Sequence, residues 1–571
     1  MSHYIKNQST NLFNRAFGIG TVSVTIAILT FFLIIPIGSI FSKAFFDANG
    51  FTLAYMKLLF SNDLQTNSII NSLQIGVVTT IICTLLTIPL ATINAKYSFR
   101  GKTLLSGLLL VPMVMPPFVG AIGIQRFFAQ YGTVNHFLLQ WGIISERIDF
   151  LGTENMFWAV VVLEVLHLYP IMYLNLSSAL SNVDPSLEEM AGTLGASKWK
   201  RFLTIVWPLA RPGYIAGATI IFIWALTDLG TPLLVGYHEV VPVRIFNMVT
   251  DINENPIGFA LVAVVIVISV SFFLLSKVAT KGRKYEMMAR GHVTSGMKEA
   301  SWKTQTLIYP FLLIVIAIAL IPHFTVFISS ISDRWFWTPL PEQFTSKYYT
   351  MILDHDLANT GIKNSFLFSS LSTLFDLVLG LFIAIIVIRK LIPYSQVLDA
   401  IVMIPLALPG VVLAFSYVVT YSNTFLDPLI NPVPLLVIAY GIRRLPYMVR
   451  SAIAGLQQTS ISLEEASESL GASRLHTMLK ITIPLLSANL IAGSLLCFSY
   501  AMLDVSDSLI LAMKDSFYPI TKSIYSLYEE QGEGEFIASA LGILSMIILG
   551  SCILSASAIL GKKMGELFRS S

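Results

Sequence analysis

Two stretches decide the fold: LSNVDPSLEEMAGTLGASKWKRFLTIVWPLARPGYIAG (residues 180–217) and LQQTSISLEEASESLGASRLHTMLKITIPLLSANLIAG (residues 456–493). They align without a gap at an offset of 276, and 16 of the 38 positions are identical. The identities cluster. Ser186-Leu187-Glu188-Glu189 faces Ser462-Leu463-Glu464-Glu465, Leu194-Gly195-Ala196-Ser197 faces Leu470-Gly471-Ala472-Ser473, and Pro208-Leu209 faces Pro484-Leu485. The same offset pairs Pro170 with Pro446 and Asp228 with Asp504. Nearer the start of each copy the offset is 293, pairing Asn71-Ser72 with Asn364-Ser365, Pro112 with Pro405 and Pro116 with Pro409. The chain is thus an internal duplication. Its first copy carries 17 more residues, expected in the loop around 127–156.

Within the repeated block, local chemistry predicts a short amphipathic helix, a turn and a second helix. Asp184 and Pro185 suit an N-cap and first turn. Ser186 with Glu189, and Ser462 with Glu465, have capping-box spacing. Leu187, Met190, Ala191 and Leu194 fall on one face. Gly195 and Gly471 stand where the helix must stop, because glycine accepts left-handed backbone without a Cβ clash. Pro208 and Pro484 are expected to open the next long helix.

What surrounds the block is apolar. The 571 residues are 55% hydrophobic and only 12% charged, with a mean hydropathy of +0.74. Soluble domains carry about twice that charge fraction. Apolar runs of roughly twenty residues, enough to cross a bilayer, occur near 17–41, 69–94, 103–126, 157–180, 212–236 and 258–280. Six more occur near 306–330, 364–388, 396–420, 432–455, 485–513 and 536–561. The expected fold class is therefore an all-α integral membrane protein of about twelve spans, in two parallel six-helix halves. Lys6 and Arg15 precede the first run, which is too long for a secretory leader and is read as a span. With the N-terminus inside, the inner segments hold 24 of the 36 Lys and Arg and the outer segments 10, so both termini are expected in the cytoplasm. The expected division is a first half at 1–285 with its loop at 181–211, a linker at 286–304, and a second half at 305–571 with its loop at 457–487. Lys281, Arg283, Lys284, Arg290 and Lys298 form a basic cluster that runs from the end of the first half into that linker. An even number of spans separates equivalent elements, so the halves share one orientation about an axis along the membrane normal.

The block resembles the EAA loop of binding-protein-dependent ABC importer permeases. That pattern is Glu-Ala-Ala, three residues, Gly, nine residues, Ile, one residue, Leu-Pro. Here the copies read Glu189-Met190-Ala191, Gly195, Ile205, Trp207-Pro208 and Glu465-Ala466-Ser467, Gly471, Ile481, Ile483-Pro484. Each departs from Glu-Ala-Ala at one position and from the leucine before proline. The resemblance implies a type I (MetI-like) permease fold in which the block is the coupling helix seated on an ATPase subunit. It places that role on Glu188, Glu189, Ala191, Gly195, Ala196, Ser197 and Pro208, and on Glu464, Glu465, Ala466, Gly471, Ala472, Ser473 and Pro484. It further implies two copies of the ATPase, which would bind ATP and Mg, an extracytoplasmic solute-binding protein, and a bacterial inner-membrane location. Fused double-length permeases are familiar among ferric-iron importers, the branch this chain most resembles, and among thiamine and organophosphate or phosphonate importers. A proton-coupled secondary transporter is the alternative from a different class. It gives no reason to duplicate the block.

Other chemistry is lacking. No Gly-x-x-x-x-Gly-Lys-Ser/Thr loop occurs, and Gly192–Lys198 has the wrong spacing, so ATP hydrolysis is expected on another chain. No resident cofactor or metal is expected, nor any nucleic-acid partner. Cys83, Cys497 and Cys552 lie inside apolar runs and are read as small buried hydrophobes.

Ionisable groups at membrane depth point to function. Glu164, His167, Asp228, Asp376, Arg443, Arg444, Asp504 and Asp507 are the candidates, with Tyr169 added to the pathway set. Glu164 and His167 share a helix face. Arg443 occupies the repeat position of His167. One arginine is expected to pair with a buried acid such as Asp376 while its neighbour faces the aqueous route, two adjacent helical residues pointing about 100° apart. A free guanidinium there would favour a phosphate-bearing cargo over a bare ferric ion. Asp228 and Asp504 are expected near the outer mouth. Pro112, Pro116, Pro405 and Pro409 are expected to break the third span of each half.

Overall fold

The computed structural model describes residues 18–249, 256–280, 297–335, 338–530 and 532–560. Both termini, Lys281, Arg283 and Lys284, and most of the linker, including Arg290, lie outside the described residues.

Continuous apolar sequence folds here as long helix because helix alone satisfies its own backbone in lipid. The first half contains α1 (Gly18–Phe45), α2 (Asp63–Lys96), the pair α3 (Lys102–Val114) and α4 (Pro117–Gln140), α5 (Met156–Ser181), the short α6 (Pro185–Thr193), α7 (Lys198–Thr227) and α8 (Pro256–Thr280). The second half repeats the order: α9 (Trp302–Ser330), α10 (Asp356–Arg389), the pair α11 (Ser395–Ala407) and α12 (Gly410–Tyr421), α13 (Val433–Gln458), the short α14 (Ile461–Ser469), α15 (Arg474–Met502) and α16 (Gly534–Ile559). Among the described residues nine helices are long and apolar enough to cross a membrane, or eleven if each bent pair is one span. That falls short of the twelve expected, and the physical reason is α13. It has full spanning length, 26 residues, but Arg443, Arg444 and Arg450 interrupt its apolar character.

Proline placement explains the irregularities. The third span of each half turns by 97° and 95° at Met115-Pro116 and Leu408-Pro409, each turn preceded by one 3₁₀ turn (Val111–Val114 and Ile404–Ala407). A bend that large is a broken span, not a packing kink. A second device is a π-helical turn at Phe202–Val206 and Met478–Thr482, two residues ahead of Pro208 and Pro484. An interior proline ring clashes with the carbonyl four residues back, and a widened turn moves that carbonyl away. The same solution occurs in α1, where the π turn Thr30–Ile34 precedes Pro36. Pro208 and Pro484 therefore do not open their spans. The helices already run from Lys198 and Arg474, and the π turn carries them through.

The halves interlock. α1 packs on α12 and α9 on α4, so the first helix of each half lies against the broken span of the other. Tyr417 donates to the carbonyl of Phe32 at 2.8 Å and Tyr421 donates to that of Phe31, using acceptors inside the α1 π turn. Gly123 on α4 lets the Pro322 backbone of α9 approach so closely that any Cβ there would overlap it.

At the opposite end of the helices from the repeated block, Asn71-Ser72 and Asn364-Ser365 acquire a reason for being duplicated. Ser72 Oγ accepts from the amide of Val241 at 2.9 Å, and Ser365 Oγ from that of Ile520 at 2.7 Å. These amides open the short helices Val241–Asn247 and Ile520–Glu529. Asn71 and Asn364 donate to carbonyls just upstream, Glu239 and Tyr518. The second long helix of each half thus caps a short helix it does not belong to. Ser365→Ala leaves a buried amide unpaired and is expected to cost about 1–3 kcal/mol, read as a fall in the melting temperature of the purified protein. Ser365→Thr keeps the acceptor and is expected to recover most of it.

Candidate coupling segments and central cavity

Both repeated blocks fold as the sequence pattern indicates, with one correction. Helix α6 is capped by Asp184, which accepts from Ser186 N at 2.9 Å, and α14 by Ser460, which accepts from Ser462 N at 3.3 Å. Ser186 and Ser462 are therefore inside their helices and form no capping box with Glu189 and Glu465. Both C-termini close with a Schellman pair. Gly195 has φ +82° and Gly471 φ +95°. Gly195 N and Ala196 N bond to the carbonyls of Gly192 and Ala191, and Gly471 N and Ala472 N to those of Glu468 and Ser467. Ser197 and Ser473 then cap the following helix, accepting from Lys200 N and His476 N. Every residue of the repeated Gly-Ala-Ser thus has a backbone task.

The outward face of this motif is apolar. Leu194 is 88% exposed and Leu470 91%, and Met190, Trp199, Leu463 and Leu475 are also exposed. Glu189 is exposed beside Lys298, 4.0 Å away. Glu188 and Glu464 turn inward. Glu188 meets Lys96 Nζ at 2.6 Å, and Glu464 takes Arg389 through Nη2 at 2.8 Å and Nε at 3.2 Å.

Between the halves lies a cavity of about 170 Å³, lined by equivalent positions of both. Its walls include the broken-span residues Pro117, Pro405, Leu408, Pro409 and Gly410. From the first half come Glu164, His167 and Asp228, and from the second Arg443, Arg444 and Asp504. Asp228 accepts from Thr231 N at 2.8 Å and Asp504 from Asp507 N at 2.9 Å. The duplicated aspartates thus cap the first turn of the short helices Gly230–Val235 and Ser506–Leu511. The second-half wall is an ionic cluster. Asp504 Oδ2 accepts from Arg443 and Arg444, both at 2.6 Å, and Asp507 accepts from Arg443 at 2.7 Å. Arg444 also donates to Tyr500 O at 2.8 Å. The Arg443 guanidinium lies over Gly410, where any Cβ would overlap it. In the first half Glu164 lies beside Asp228 and Thr231, with Oε1 unpartnered. Among the described residues no group of three or more His, Cys, Asp or Glu side chains is placed to hold a metal ion.

The sequence profile of the binding-protein-dependent transport system inner membrane component family matches residues 84–285 and 376–566, once in each half. The chain belongs to this family. A putative ferric transport system permease protein of Haemophilus influenzae is 26% identical over 511 residues, covering 88% of this chain and 79% of that protein. The ferric transport system permease protein of Actinobacillus pleuropneumoniae is 25% identical over 551 residues, covering 95% and 78%. The spermidine/putrescine transport system permease protein of Escherichia coli is 31% identical over 223 residues, covering 36% of this chain and 78% of that protein. A bacterial ABC transporter that imports the acidic polysaccharide alginate is similar in structure over 46% of this chain and 96% of its own, at 18% identity and a TM-score of 0.38. The protein is therefore a multi-pass ABC permease with a transport role, and permeases of this kind work with an ATPase and a binding protein.

Set on this permease, the sequence candidates divide. Glu164, His167, Asp228, Arg443, Arg444 and Asp504 all line one cavity. Asp228 and Asp504 lie on its opposite walls. Tyr169 does not reach it. That side chain is fully buried and donates to Leu109 O at 2.7 Å, pinning the turn before the broken span. Asp376 pairs with neither arginine. It is fully buried with both carboxylate oxygens unpartnered. The two adjacent arginines do share one carboxylate, because Asp504 stands between their side chains. Two residues were missed, Lys96 and Arg389 beneath the repeated blocks, and the candidate Asp507 was not foreseen as a partner of Arg443. Lys96 and Arg389 were findable, since the 293 offset that pairs Asn71 with Asn364 also pairs Lys96 with Arg389.

Proposed function

We propose that this chain is the permease of a ferric-iron ABC importer, moving cargo handed over by an extracytoplasmic binding protein through ATP-driven alternating access. The observation that carries the proposal is similarity along most of the chain to two proteins named for ferric transport. The cavity supports it. Glu164, Asp228 and Asp504 set three carboxylates on its walls against two guanidiniums, an environment suited to a cation. An organophosphate or phosphonate cargo had its support in a free arginine, and both arginines are committed to aspartates; a thiamine cargo rests only on the likeness to that permease group. Two ATPase subunits, which bind the ATP and Mg, would dock one on each of α6 and α14. The exposed leucines and tryptophan there are apolar surface that a partner would cover. The two halves would span 1–285 and 305–571, joined by a cytoplasmic linker at 286–304, with both termini cytoplasmic in the bacterial inner membrane.

Two measurements test this. Proteoliposomes holding the permease, its ATPase and its binding protein should take up radiolabelled ferric iron only with ATP. Uptake driven by a pH gradient without ATP would overturn the class, and ATP-driven uptake of an organophosphate but not iron would overturn the cargo. For orientation, single cysteines near 286–297 should react with an impermeant maleimide only from the cytoplasmic side, and those near 130–150 or 516–530 only from outside. The reverse pattern sinks the orientation.

A further inference from the structure

We propose that Lys96 and Arg389 are positioning residues that lock each coupling helix to the foot of a long transmembrane rod, and that the second lock is the stiffer. This rests on the coupling role proposed for α6 and α14. Lys96 lies in the last turn of α2 and Arg389 in that of α10. Each meets the first glutamate of the repeated pair, and not the second, which α6 leaves exposed. The two contacts involve segments aligned at different offsets, 293 for the basic residue and 276 for the acid. One ion pair has therefore been kept in both copies between elements whose spacing changed.

The rods lead somewhere. Each of α2 and α10 is 34 residues long, about 50 Å of helix. Near the far end, Ser72 and Ser365 cap the short outer helices. In between, α2 packs on α5 and α10 on α13, the helices that carry Glu164, His167, Arg443 and Arg444 to the cavity. A displaced coupling helix can move the rod only if their junction resists shear.

The junctions differ in strength. Glu188 meets a single ammonium, and the pair is 34% and 25% exposed. Glu464 meets a guanidinium through two nitrogens, is 18% exposed with its partner at 11%, and also accepts from Thr482 Oγ1 at 3.2 Å. The residue equivalent to Thr482 is Val206, which has no hydroxyl to give. A bidentate, half-buried pair holds geometry better than a point charge near solvent.

The test uses the complete complex in proteoliposomes, with iron uptake and ATP hydrolysis read together. Glu464→Gln and Arg389→Gln are expected to keep ATP hydrolysis while iron imported per ATP falls about fivefold, and Glu188→Gln to lower that ratio about twofold. Arg389→Lys recreates the first junction and is expected to retain about half of the wild-type ratio. The exchanged pair Lys96→Glu with Glu188→Lys should restore the ratio lost in Glu188→Gln. An unchanged ratio in the glutamine variants, or an exchanged pair no better than the single change, overturns the proposal. So does loss of the ATPase subunit from the purified complex in parallel with uptake, which marks a purely structural role. Wild-type complex that shows no ATP-driven uptake overturns instead the functional reading beneath it.

Discussion

Arg444→Gln is expected to abolish accumulation of folded permease, whereas Arg443→Gln accumulates normally and fails in uptake. The two residues are adjacent, but their surroundings are not alike. Arg444 is 5% exposed. It donates to Asp504 at 2.6 Å and to the carbonyls of Tyr500 and Tyr440, and it lies over the Tyr440 ring. It thus holds α13 to α15. Removing it leaves Asp504 to Arg443 alone and takes a charged donor from the carbonyls of Tyr500 and Tyr440; buried groups that lose their partner cost about 1–3 kcal/mol each, a large share of the stability of most domains. Arg443 has its guanidinium at the cavity wall, 24% exposed, and its loss leaves Asp504 still bound by Arg444 and Asp507 3.9 Å from that same guanidinium. That variant should melt within a few degrees of wild type, yet alter the charge that the cargo meets. Expression, melting temperature and iron uptake separate the cases. Equal expression and equal uptake in both variants would remove the arginines from the mechanism. Gly410→Ala serves as a companion. Its added methyl displaces the Arg443 guanidinium from its seat without deleting the charge, so it should reproduce the uptake defect of Arg443→Gln.

How much of this was legible in the sequence depends on whether a feature is local or duplicated. The turn at Gly195 could be read because a helix end needs one residue in left-handed backbone, and glycine followed by a capping serine is a local solution. The broken spans could be read because proline acts on its own helix. What could not be read from one residue was partnership across the bundle. Asp504 meets two arginines 60 and 61 positions away, and no local rule chooses Asp504 over Asp376 as their partner. Asp376 looks equally acidic in sequence, yet on α10 it is fully buried and forms no ion pair with either arginine. Tyr169 misled for a related reason. It is five residues from Glu164 and two from His167, but its position on α5 faces the core and not the cavity.

Duplication recovered part of what locality hid. Asp228 and Asp504 align at the offset of the coupling block, and both cap the helix turn that follows. The cavity is thus a pair of equivalent corners, with its asymmetry confined to substitutions at matching positions. Glu164 faces Tyr440, His167 faces Arg443 and Thr231 faces Asp507. The first half keeps its acids without a matching guanidinium. The second half adds two arginines and one more aspartate together, so the backbone duplication survives while the electrostatics diverge. The arginines that break the apolar character of α13 find their acids inside the bundle, Arg443 and Arg444 at Asp504 and Asp507 and Arg450 at Asp399, where hydropathy of a single segment cannot see the partner.

Gly471→Val is expected to uncouple transport while leaving the membrane fold intact, and Gly195→Val to do the same at the first coupling segment. Neither glycine has any atom within 4 Å of where a Cβ would stand, so packing is not the obstacle. The obstacle is backbone. At φ +95° and +82° an L side chain meets its own carbonyl, at a cost of about 1–2 kcal/mol, and a β-branched residue tolerates that region least. Relief requires giving up the two Schellman bonds to Glu468 and Ser467, and with them the placement of Ser473 as the next cap. Helix α14 would then lose its fixed angle to α15, while the spans, whose contacts lie elsewhere, keep theirs. Uptake in the assembled complex should fall about 5- to 20-fold, with the melting temperature of the isolated permease little changed. Gly471→Asn is the discriminating control. Asparagine enters left-handed backbone more readily than any other non-glycine residue, so it should recover most of the uptake lost in Gly471→Val. If asparagine and valine impair transport equally, side-chain bulk against the docked ATPase explains the loss and the backbone account fails. If both transport normally, these turns do not set the coupling angle.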